Sequence, residues 1–132
     1  MNRGEFVKAF YNAAGRALFF SEKARHNGLL SLEDDIDIEK AVDGDVFELG
    51  MRYVVDGVNP EEIKKILSIL AQQEKDEYVS LLKTIQKEAA LAIQSGLNTG
   101  LLILMLYSYT DISLSDLKDN GILKRACVFK AR

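Results

Sequence analysis

The chain has 132 residues, a formal charge of −3 from 17 Lys and Arg against 20 Asp and Glu, and a 48% hydrophobic composition. That is the length of one ordinary domain, with enough apolar material for a core. The single cysteine, Cys127, excludes an internal disulfide and a cysteine-built metal cage, and the acidic balance argues against a protein that grips nucleic acid by its phosphates.

Helical periodicity dominates from the start. Met1-Asn2-Arg3-Gly4-Glu5 leads into an amphipathic stretch and lacks the apolar block of a signal peptide, so the cytoplasm is the expected address. Phe6, Phe10, Ala13, Ala17, Phe20 and Ala24 recur three or four apart, which makes one apolar stripe on a helix from Glu5 to Asn27. Asn27-Gly28 stops it. Leu29 to Asp34 reads as a short helical turn and Asp35 to Gly44 as an acidic connector. Asp43 or Asp45 caps the next helix, whose apolar side is Val46, Phe47, Met51, Val54 and Val55 and which Asp56-Gly57 ends.

Asn59-Pro60-Glu61-Glu62 is a strong helix start. Asn59 offers an acceptor to unpaired N–H groups, Pro60 suits the first helical position, and the two glutamates suit the positive end of the dipole. The stripe Ile63, Ile66, Leu67, Leu70 resumes at Tyr78, Leu81, Leu82, Ile85, Ala89 and Ala92 after a polar patch, Gln72 to Glu77. This predicts one long helix or two with a break near Glu74–Asp76, closed by Gly96. Asn98 or Thr99 starts a helix through Tyr109 that is apolar nearly all round and so is expected at the centre of the core. Its run Leu101 to Tyr107 is too short to cross a bilayer, which needs roughly 20 apolar residues. Ser113-Leu114-Ser115-Asp116 caps a last short helix that Asn120-Gly121 stops. The fold class is all-α: a single compact domain over 1–132 with about five to six helices.

Few residues suit chemistry. His26 sits at the end of a charged turn, where an exposed helix-end histidine is the simplest reading. Cys127 has no base or electropositive neighbour in sequence that would activate it. The acidic stretch Glu33 to Glu39, and Asp43-Gly44-Asp45, lack the glycine and glutamate spacing of a calcium loop. No Gly-rich phosphate loop is present. The expectation is no catalytic, cofactor or metal site. The basic cluster Lys124, Arg125, Lys130 and Arg132 reads as a solvated tail. What remains is a charge constellation: Lys23, Arg25 and His26 end the first helix, and Glu33, Asp34 and Asp35 follow just past Gly28. Adjacent patches of opposite sign can orient a partner with the mirrored pattern.

Lys23-Ala24-Arg25-His26-Asn27-Gly28-Leu29-Leu30-Ser31-Leu32-Glu33 resembles the segment after the second membrane helix of the MotA family of flagellar stator proteins (the MotA/TolQ/ExbB proton channels). There a basic pair precedes Gly-Leu-Leu, a small residue and Leu-Glu. The likeness continues through Phe47, Gly50-Met51, Val54-Val55-Asp56-Gly57, Asn59-Pro60-Glu61-Glu62-Ile63 and Ile66-Leu67. It is fainter from Lys87 to Gly96 with Asn98, and it does not cover residues 99–132. The resemblance implies a cytoplasmic helical domain of the flagellar motor. Its basic and acidic motif positions fall on Arg25 and Glu33, with His26, Asp34 and Lys23 as charged neighbours, and they would face the rotor switch protein FliG or stator subunits of MotA and MotB type. The family's four membrane helices have no counterpart in this sequence, so direct membrane insertion and ion conduction are not expected. The alternative is a helical adaptor, or a self-associating homo-oligomer, unrelated to motility.

Overall fold

The computed structural model describes residues 1–113 and 115–116. Over these the chain forms six α-helices: α1 (Arg3–Asn27), α2 (Ile38–Val42), α3 (Val46–Val55), α4 (Pro60–Gln72), α5 (Glu77–Ser95) and α6 (Thr99–Tyr107). A 3-10 helix, Leu29–Asp35, joins α1 to α2. Among the described residues there is no strand. The expected C-terminal stop at Asn120-Gly121, the basic cluster and Cys127 lie outside the described residues.

The helix boundaries follow local chemistry. Asn2 and Glu5 form a reciprocal cap at the start of α1. Asp45 accepts from Glu48 N at the start of α3, and Asn59 from Glu61 N at the start of α4, with Pro60 in the first turn. Asp76 accepts from Tyr78 N and Val79 N, which restarts the chain as α5. The polar patch therefore does break the long stripe, between Gln72 and Glu77. Gly96 closes α5 in the left-handed conformation, φ 78°. Truncating the α4 cap, Asn59→Ala, should cost about 1 kcal/mol, read as a lower urea midpoint with an unchanged slope.

Two expectations need correcting. Residues 35–44 are not a plain connector: Asp37 accepts from Lys40 N and starts α2, which seats Ala41 in the core. Nor is α6 the centre. Its Leu102, Ile103 and Leu106 are fully buried, but Leu101 is 56% exposed. The central element is α5, against which α1, α3, α4 and α6 all pack. Its inner face is Ile85, Ala89, Ala90, Ala92 and Ile93, and alanines let neighbouring helices approach closely. Phe6, Phe10, Phe20, Met51, Ile63 and Leu67 fill the space around it. A buried hydrogen bond of 2.8 Å between the Ser21 and Thr99 hydroxyls ties α1 to α6.

Candidate functional site

The charged constellation forms at the end of α1, where the chain turns sharply. Gly28 takes φ 86° and its N–H donates to Ala24 O at 2.8 Å. A residue with a Cβ enters that region poorly. The 3-10 helix then doubles back along α1: its last residue, Asp35, reaches Lys23 Nζ through Oδ2 at 2.5 Å. Leu29 and Leu32 turn inward, Leu32 completely, while Leu30, Glu33 and Asp34 face outward. With three residues per turn, Leu30 and Glu33 stand in one column.

Each predicted residue has a definite place. Arg25 is exposed and its Nη1 donates to Gly96 O at 2.6 Å, so it sits on the negative end of α5. His26 and Asp34 are exposed beside it and farther along the turn. Glu33, 61% exposed, lies 3.9 Å from Arg52 Nη1. That guanidinium also donates through Nε to Asp56 Oδ2 at 3.2 Å. Lys23 is half-buried and engaged by Asp35, so it steadies the turn more than it presents charge. Arg25 and Glu33 do not pair with each other. The turn thus carries basic groups at its tip and acidic groups along its flank.

Sequence reasoning missed what holds this turn up. Glu48, on α3, is 3% exposed. Arg16 grips it in a fork, Nη2 to Oε1 at 2.7 Å and Nε to Oε2 at 3.1 Å. Arg16 Nη2 also donates to Asp35 O at 2.6 Å, and Asp37 N–H donates to Glu48 Oε1 at 2.9 Å. The guanidinium lies 4.6 Å over the Phe20 ring. Hydrogen bonding to Glu48 raises the Arg16 pKa above its ordinary value, against burial that lowers it. One ion pair therefore binds α1, the end of the 3-10 helix and α3 together. The available signal was Glu48 itself, which shares the apolar face of α3 with Met51 and Val55 at spacings of three and seven.

The arrangement is suited to recognition. Among the described residues no group of three or more His, Cys, Asp or Glu is placed to hold a metal ion, and no helix is long and apolar enough to cross a membrane.

Comparison with known proteins agrees with the motif reading. The chain is 38% identical over 88 residues to motility protein A of Borreliella burgdorferi, which is 64% of this chain and 33% of that protein. It is 33% identical over 82 residues to motility protein A of Treponema pallidum, 62% of this chain and 30% of that protein. The chain thus spans about a third of the length of these curated relatives. No protein-family model and no solved structure matches it. Over the part it shares with those relatives, the chain is similar to motility protein A.

Proposed function

We propose that the chain is an interaction module of the bacterial flagellar motor, acting on the cytoplasmic side of the inner membrane. It binds the rotor switch protein FliG, or stator subunits of MotA and MotB type, through Arg25, His26, Glu33 and Asp34, with Lys23 bracing the turn behind them. It works as a binding protein, without catalysis or a cofactor. The observation that carries this reading is the outward placement of both signs of charge on one rigid turn, in the segment that resembles the stator motif. Exposed ion pairs are worth about 0–1 kcal/mol each, which suits contacts that must form and break repeatedly.

The test is binding of purified FliG, followed by calorimetry at low and high salt. Glu33→Lys should weaken binding about five- to tenfold, and Arg25→Ala somewhat less. Raising the salt to about 0.5 M should weaken it further, because exposed pairs are screened. A matched charge reversal on FliG should recover part of the loss. Binding that ignores both salt and Glu33→Lys would refute the charged-contact reading.

A further inference from the structure

Helix α2 is built with its large apolar side chains outward. Ala41 is buried at 7% exposure, whereas Ile38 and Val42 are 50% and 81% exposed. These two lie one helical turn apart on the same face. The face is fixed at both ends. Asp37 Oδ1 accepts from Lys40 N, the Asp37 N–H is held by Glu48, and Asp45 N–H donates to Lys40 O at 2.9 Å. Next to these two in the chain stand Glu39 and Asp43, both exposed. The one cation of the helix, Lys40, borders a shallow groove lined also by Arg16 and Gln86.

We propose that α2 is a second docking surface, separate from the turn of Arg25 and Glu33, and that it receives a basic amphipathic helix of another protein. Apolar side chains of that helix cover Ile38 and Val42, and its flanking lysines or arginines meet Glu39 and Asp43. The charge fringe selects this occupant. An anionic lipid surface would be repelled by the same carboxylates. A second copy of this chain offers an apolar outer face on α4, with Ile66 and Ile69 at 36% and 46% exposure. Glu62 and Lys65 stand one turn before Ile66 and Ile69 on that face, so it has no net positive charge to offer. A rigid apolar pair ringed by charge is the usual anatomy of an interface centre with a polar rim.

The experiment is titration of the isotope-labelled chain with synthetic helical peptides of about 18 residues, followed by amide chemical shifts. A Leu/Lys amphipathic peptide should move amides between residues 37 and 46. It should bind about tenfold more tightly than Leu/Glu or Ser/Lys peptides of the same length. Ile38→Ser with Val42→Ser should lower that affinity about tenfold while the remaining spectrum stays in place, since both residues are exposed. Glu39→Lys, which leaves both apolar side chains in place, should lower it independently. Equal binding of the Leu/Glu peptide would overturn the proposal, as would shifts centred on Arg25 and Glu33, or full affinity in the double serine variant. Sedimentation showing self-association that the double serine variant abolishes would assign the face to a second copy, and would overturn it too. None of these readouts involves FliG, so the outcome is independent of the charged turn.

Discussion

Arg16→Ala is expected to remove about 2–4 kcal/mol of stability, a large share of the 5–15 kcal/mol that a domain typically holds. The reason lies in what stays behind. Glu48 is 3% exposed, so truncating Arg16 leaves a carboxylate inside the protein with only the Asp37 N–H and its own surroundings to satisfy it. Removing one partner of a buried pair costs about 3–5 kcal/mol. Arg16 is 38% exposed at its side chain, so water can reach the vacated site and the lower part of the range applies. Asp35 O would also lose its donor, and amide exchange around residues 35–37 should accelerate. Glu48→Gln keeps the shape and one acceptor and should cost less, about 1–2 kcal/mol. Replacing both, Arg16→Met with Glu48→Leu, should recover most of the stability, because an apolar pair of similar volume needs no solvation. Urea denaturation of the three variants gives the comparison. If Arg16→Ala unfolds within about 0.5 kcal/mol of the parent chain, the pair does not hold the turn.

Helix ends were legible because their causes are local. Asn59-Pro60, Gly57 and Gly96 each act within four residues of their position, and each was readable from the sequence, while the α3 cap was narrowed to Asp43 or Asp45. The place of the break between α4 and α5 was marked by the polar patch, but one unbroken long helix stood as the alternative, and the Asp76 cap that decides it was not read from the sequence. α2 was missed because it is only five residues long, and its large apolar side chains point the wrong way for a pattern that assumes burial. The centre of the core was misplaced for a packing reason. Apolar content ranks α6 first, yet a helix at the centre of a bundle must be thin as well as apolar. The alanines of α5 meet that demand, and the leucines of α6 do not. The candidate surface was half legible. The charges of the turn showed in the sequence, but their support depends on Arg16 meeting Glu48 across 32 positions, and no local pattern encodes that pairing. Lys23 was read as a contact residue, while its pairing with Asp35 depends on the chain doubling back at Gly28.

Gly50→Ala should destabilise the chain by about 1–2 kcal/mol, although propensity alone favours it. Glycine in a helix interior costs about 1 kcal/mol relative to alanine, and Gly50 lies within α3. Space decides the sign. A Cβ at this position would stand 2.9 Å from the Ala90 Cβ and 3.0 Å from Leu67 Cδ1. Leu67 can rotate away, but the Ala90 methyl is fixed to the backbone of α5. To admit the new carbon, α3 and α5 must separate at the point where α4 also meets them. Gly50→Val adds two more carbons and a stiff side chain and should cost about 3 kcal/mol or more. The decisive variant exchanges the two residues. Gly50→Ala with Ala90→Gly moves the methyl from one helix to the other, so the double change should cost less than the two single changes together, with a coupling of about 0.5–3 kcal/mol. Thermal unfolding of the four chains measures it. Strict additivity would mean that α3 and α5 are not in contact at Gly50, and the alanine-lined approach of helices around α5 would then need another explanation.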